Sequence, residues 1–155
     1  MAVHFFEEDT TLKLSHKRKV RFWLKELAMD HNYKLGELNF IFCTDKYLSQ
    51  INIQYLNHHT YTDIITFDQS DKVGWVEGDI YISIERIKEN AGEWETSFEE
   101  ELFRVIIHGL LHLCGFRDKS KKDKIEMRKQ ENLALKKLKT LLNQASVPRG
   151  TVKDE

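Results

Sequence analysis

A helix that is apolar on nearly every side must be buried on nearly every side, and the segment from Ser97 to Leu113 reads as such a helix. Leu102, Phe103, Val105, Ile106, Ile107, Leu110, Leu111 and Leu113 cover most of its circumference. The rest of the fold therefore has to be assembled around it. Ser97, followed three residues later by Glu100, is a capping-box signature that sets its start. One polar stripe breaks the apolar surface: at about 100° per residue, Glu101, Arg104, His108 and His112 fall in one narrow sector.

That stripe runs into the segment H-G-L-L-H-L-C-G-F-R-D, residues 108–118. His108 and His112 stand four apart, so both imidazoles project from one helix face, one turn above the other. Gly115 is placed to take a positive φ, end the helix and turn the chain back, which lets Asp118 supply a third ligand; Asp123 is the nearby alternative. A lone histidine on an apolar helix is usually a satisfied core group, whereas two in line with a turn glycine and a carboxylate form a ligand pattern. Three protein ligands with a fourth position open describe a catalytic site for one Zn2+ per chain, or another divalent ion, and not a structural site closed by four Cys-rich ligands. The two cysteines, Cys43 and Cys114, form no metal-type pair and read as buried free thiols.

The same segment resembles the signature of the YbeY-type rRNA maturation endoribonucleases, H-G-x-L-H-L-x-G-[YF]-x-H, matching at His108, Gly109, Leu111, His112, Leu113, Gly115 and Phe116. It departs at the last position, where Asp118 replaces a third histidine. A carboxylate ligates zinc at a similar distance, makes the metal a weaker Lewis acid and suits harder divalent ions. A second block, residues 51–67, resembles the family's L-N-x-x-Y-R-x-x-D-x-P-T-D-V-L-S-F at Asn52, Tyr55, Thr62, Asp63 and Phe67. There Leu56 stands in place of an Arg and Tyr61 in place of a Pro; His58 and His59 lie close by as possible RNA contacts. Gly78, Asp79 and Ile80 resemble a third, short G-D-I block.

The resemblance implies a metal-dependent, single-strand-type endoribonuclease that acts on the 3′ end of 16S rRNA and in ribosome quality control. RNA and ribosomal particles would be its partners, and His108, His112 and Asp118 both its ligands and its catalytic residues. The nucleophile would be water or an RNA 2′-hydroxyl. Glu101 lies seven residues before His108, roughly 10 Å along a helix axis, and with Arg104 fits a place behind the ligands. Two other classes stay open. The spacing H-x-x-x-H-x-x-G-x-x-D also matches metzincin-like metallopeptidases, although Gly109 occupies the place of the Glu that serves H-E-x-x-H enzymes as general base. The third is a non-catalytic, ribosome-associated metal-binding protein.

Charge bears on the substrate. With 24 basic and 25 acidic side chains the chain has no global field to draw in nucleic acid. Locally, the basic run from Arg117 and Lys119 through Lys139 starts at the metal motif, and a second cluster, Lys17, Arg18, Lys19, Arg21 and Lys25, lies on the first helix. If both face one groove they can hold a phosphate backbone against the metal; otherwise they are solvated helix faces.

Element signals alternate along the chain. Strands are predicted at Val3 to Glu7, Leu38 to Cys43, Asp63 to Asp68 and Gly78 to Ser83. Helices are predicted from a Ser15 cap to His31, from Thr44 or Asp45 to Leu56, from Ile84 to Asn90, from Ser97 to Leu113 and from Lys121 to Asn143. They amount to an α+β fold, about four strands covered by helices, which the resemblance makes a mixed sheet with a zinc-metalloprotease-like metal helix. One domain is expected over residues 1–145, with a flexible tail over 146–155. No apolar run approaches membrane-spanning length and the N-terminus lacks the marks of a signal peptide, so the cytoplasm is the expected location.

Overall fold

The computed structural model describes residues 2–56 and 62–144. His58, His59, Tyr61 and residues 146–155, expected as a tail, lie outside them. In chain order the elements are β1 (Ala2–Glu7), α1 (Lys17–Asp30), β2 (Lys34–Cys43), α2 (Asp45–Leu56), β3 (Ile64–Asp68), β4 (Trp75–Ser83), α3 (Ile84–Glu93), α4 (Phe98–Leu113) and α5 (Lys121–Leu142).

The sheet is mixed, in the order β1-β2-β4-β3. β1 and β2 run parallel, as do β2 and β4, while β3 pairs antiparallel with β4 at the edge. Parallel neighbours need a crossover between them, which α1 supplies for β1 and β2. The run Leu38, Phe40, Ile41, Phe42 and Cys43 is buried on both sides of the sheet, as expected for a central strand covered on two faces. β2 and β4 each start earlier than their apolar runs suggest, at Lys34 and Trp75, because these ends pair with each other across a register shift between Leu35 and Leu38. The Ser15 cap is not formed: α1 starts at Lys17 behind His16, which sits at φ 58° and makes no side-chain cap bond. Thr44 caps α2 instead, its Oγ1 accepting from the Tyr47 amide at 3.2 Å.

α4 is the hub. Its Ser97 Oγ accepts from the Glu100 amide at 3.0 Å, and the helix packs against β3 and β4 on one side and against α3 and α5 on others. Close approach to the sheet depends on Gly109. A Cβ there would meet Ile64 Cδ1 at 3.0 Å and Ile80 Cδ1 and Cγ2 at 3.1 Å, and Ile80 is fully buried with nowhere to move. The position next to His108 thus faces the sheet, not the metal motif. On the far side, the fully buried Trp23 of α1 donates its indole N–H to the Ala134 carbonyl of α5 at 2.8 Å and meets Phe103 edge-on, which fixes α5 against α4.

Valine at position 109 should therefore destabilise the protein by about 1–3 kcal/mol through overpacking, more than the few tenths of a kcal/mol gained in helix propensity. Urea unfolding of Gly109→Val beside wild type, both stripped of metal, measures this; equal or greater stability would mean that the helix–sheet distance is not set here.

Candidate metal centre

The end of α4 is built to aim its second histidine. Cys114 is the C-cap, and Gly115 follows at φ 93°. The Gly115 amide bonds the His112 carbonyl at 3.0 Å and the Phe116 amide bonds the Leu111 carbonyl at 3.0 Å, the paired bonds of a Schellman turn. This turn brings the Phe116 carbonyl to 3.0 Å from His112 Nδ1. A carbonyl only accepts, so Nδ1 carries the proton and Nε2 presents a lone pair. The Phe116 ring packs edge-on against His31 at 4.9 Å between centroids, bracing the turn.

Past the turn the chain brings Asp118 back over the helix. Its Oδ2 lies 3.3 Å from Nε2 of His108 and 3.3 Å from Nε2 of His112, and the three ligating atoms all fall within 4.8 Å of one another. Donors held about 2.0–2.1 Å from a tetrahedral zinc stand about 3.3–3.4 Å apart, so the two His–Asp separations already match edges of such a tetrahedron. Two neutral imidazoles and one carboxylate fit a divalent ion, with one position left for solvent or substrate. Asp123, the alternative ligand, is committed elsewhere: its Oδ2 accepts from the Ser120 amide at 3.3 Å in the capping box that starts α5.

His108 is oriented by a residue the sequence reading passed over. Its Nδ1 donates to Glu131 Oε2 of α5 at 2.6 Å, and the other carboxylate oxygen, Oε1, takes a bond from Arg104 Nη1 at 3.0 Å. The Glu131 side chain is only 6% exposed. Burial alone would push its carboxyl up, but the bond and charge of His108, the bond from Arg104 and the charge of Arg128 hold it below its usual range. The reverse holds at His108: burial opposes its charge, yet Glu131, Asp118 and Asp63 raise its pKa above 6.5. Arg104 therefore reaches the ligands through Glu131. The signal for Glu131 was its position in an otherwise apolar stripe, since Met127, Ala134, Leu138 and Leu141, at alternating three- and four-residue steps around it, are all buried.

The site opens into a cleft of about 270 Å³ whose lining includes His108, Asp118, Glu131, Asp63, Trp94 and Arg128. Glu101 and Arg104 line it too. Burial raises the carboxyl of Glu101, with Arg104 partly offsetting it. Asp63 accepts from Asn90 Nδ2 at 3.3 Å, and burial pushes its carboxyl up against the opposing charge of His108. His112 faces a second cleft, with Asp68, Lys72 and Trp75. Arg117 and Lys119 are exposed on either side of Asp118.

Lys19 and Arg21 of the basic cluster on α1 are engaged away from this groove. Lys19 Nζ donates to the Leu142 carbonyl at 3.3 Å and to the Gln144 carbonyl, at the far end of α5, about 16 Å along that helix from Glu131 at 1.5 Å per residue. Arg21 Nε donates to the Val3 carbonyl at 3.0 Å. These cations tie helix ends and strand β1 together. Cys114 is buried, its thiol pushed up to about 12, and among the described residues the cluster that could hold a metal is His108, His112 and Asp118, without a cysteine.

Removing the charge behind His108 should loosen the metal. Glu131→Gln keeps the shape but weakens the hold on the imidazole, and zinc affinity is expected to fall about tenfold or more, read by competition with a chromophoric chelator. Unchanged affinity would show that Glu131 serves folding alone.

Comparison with known proteins identifies the family. A family model described as Endoribonuclease YbeY matches residues 3–139. A protein named Endoribonuclease YbeY from Cytophaga hutchinsonii is 48% identical over 133 residues, covering 86% of this chain and 93% of its own. Another of that name from Flavobacterium psychrophilum is 53% identical over 116 residues, 74% of this chain and 81% of its own. A solution structure of a Thermotoga maritima protein shares the fold, with a TM-score of 0.62 at 22% identity, covering 96% of this chain and all of that one. A family model that spans most of the chain, with relatives aligned over most of their own length, places this chain in the YbeY endoribonuclease family.

Proposed function

We propose that this chain is a zinc-dependent endoribonuclease of rRNA maturation, including the 16S 3′ end, and of ribosome quality control. One domain, residues 1–145, carries the activity, and the cytoplasm is its place of action. The observation that carries the reading is the pair of imidazole Nε2 atoms, each 3.3 Å from one Asp118 oxygen, with His108 and Asp118 lining a cleft that also holds guanidinium groups. Family membership points that site toward RNA.

His108, His112 and Asp118 would hold the ion, and a divalent metal there would supply a Lewis acid able to bring the pKa of a bound water down to about 7 and to polarise a phosphoryl oxygen. The protein's own groups do the rest. Glu131 and the Phe116 carbonyl fix both imidazoles in the tautomer that presents Nε2. Arg104 neutralises Glu131, so the support behind the ligand adds no net charge. Asp63, which lines the cleft with His108 and whose carboxyl burial raises, is the group suited to take a proton from the attacking hydroxyl, while Glu101 stays behind the ligands with Arg104. Asp118 in place of a third histidine leaves the site one charge less positive, and Asp118→His should retain the metal.

The metallopeptidase reading loses its base. A glutamate at position 109 would have to push between Ile64 and Ile80, so the neighbour of the first histidine cannot serve the same water. A binding role without turnover predicts that metal-free protein still supports RNA processing. We expect instead that the His108→Ala/His112→Ala variant binds no zinc and cleaves RNA only at background, and that chelation abolishes and zinc restores cleavage by wild type. Retained processing by the verified metal-free variant would overturn the catalytic reading.

A further inference from the structure

The cleft beside the triad contains two side chains that ligand-holding does not use. Trp94 closes α3, and its backbone is fixed: its amide bonds the Asn90 carbonyl at 2.9 Å, and the Thr96 amide bonds the Ala91 carbonyl at 3.0 Å. The residue is nonetheless 65% exposed. Arg128, one turn before Glu131 on α5, has a side chain that is 55% exposed. Its Nη1 stands 3.7 Å from the Glu131 oxygen that Arg104 already engages at 3.0 Å. Both Glu131 oxygens are already taken by closer hydrogen bonds, from Arg104 and His108, so Arg128 adds only its charge there and its guanidinium keeps donors for another partner. Both residues line the same cleft as His108 and Asp118.

Among the described residues the remaining lining is mainly polar and charged, with Val105 its only other apolar member. A ligand suited to this cleft is therefore polar over most of its surface, carries negative charge for a guanidinium and presents one flat π face. An apolar peptide side chain would find no pocket of matching character. A nucleotide has all three properties. Base–indole stacking is indifferent to sequence because every base has a π face, and a planar guanidinium pairs with phosphate oxygens through parallel N–H bonds.

We propose that Trp94 and Arg128 form a nucleotide subsite beside the metal triad, the indole stacking on one base of a single-stranded RNA and the guanidinium gripping a phosphate next to the scissile one. This deepens the ribonuclease reading and rests on it. The subsite positions substrate and takes no part in holding the ion, so its loss should raise KM far more than it lowers kcat.

The test uses full-length, zinc-loaded protein and a fluorescein-labelled single-stranded oligoribonucleotide, with zinc content measured for every variant. Trp94→Ala should weaken binding roughly 5- to 150-fold at unchanged zinc content, and Trp94→Phe should recover most of the loss. Arg128→Ala should weaken binding to all sequences and flatten the dependence of log Kd on log salt by about one. Wild type that binds and cleaves RNA while both alanine variants match it would overturn the subsite and leave the ribonuclease reading intact. A Trp94→Ala loss that Phe does not recover would overturn stacking. Zinc-loaded wild type that neither binds nor cleaves RNA, but cleaves casein in a Trp94-dependent way, would overturn both.

Discussion

The hydrogen bond from His108 Nδ1 to Glu131 Oε2, at 2.6 Å, joins α4 to α5 and holds that imidazole in a fixed tautomer. A nearly buried carboxylate is costly unless it is paired and hydrogen-bonded, and Glu131 meets that condition only because α4 presents both Arg104 and His108 one turn apart. Breaking such an arrangement by removing one partner typically costs about 3–5 kcal/mol. The two helices are therefore held in register by the same groups that orient the ligand, and packing and function cannot vary separately here. Trp23, bonded to the Ala134 carbonyl one turn along α5, holds the other side of that register.

The second constraint is the distance between α4 and the sheet. Gly109 lets the helix sit against Ile64 and Ile80, which places β3 and the carboxylate of Asp63, just before it, at the cleft beside His108. A bulkier residue would lift His108 away from Asp63 and the end of α3. The glycine that removes the general base of a peptidase is thus the one that assembles a polar cleft beside the metal position. That cleft combines guanidinium groups, buried acids and an exposed indole, a mixture suited to a phosphodiester chain with bases.

Much of this was legible in the chain itself. α4 declares itself because its apolar residues follow the helical period all the way round, and the histidines stand out as the polar exception. The return of Asp118 over the helix follows from the turn that Gly115 permits. Glu131 was hidden because it lies in a run where ten basic residues, counted from Arg117 to Lys139, draw attention to net charge, while its significance depends on the faces of two helices distant in sequence. The role of two α1 cations was open in the sequence for a related reason: Lys19 and Arg21 are spent on backbone carbonyls that only the folded chain brings within reach. Likewise Lys34 and Trp75 extend their strands by pairing with each other across the sheet, not through local propensity.

X-ray absorption spectroscopy of the zinc-loaded protein tests the central claim most directly, because it counts the ligands without reference to activity. The account predicts a four-coordinate ion with two imidazole nitrogens and two oxygens at about 2.0–2.2 Å, one oxygen from Asp118 and one from solvent, and no sulfur. A sulfur scatterer at about 2.3 Å, or a third imidazole in place of the Asp118 oxygen, would contradict the arrangement of His108, His112 and Asp118 on which the rest depends.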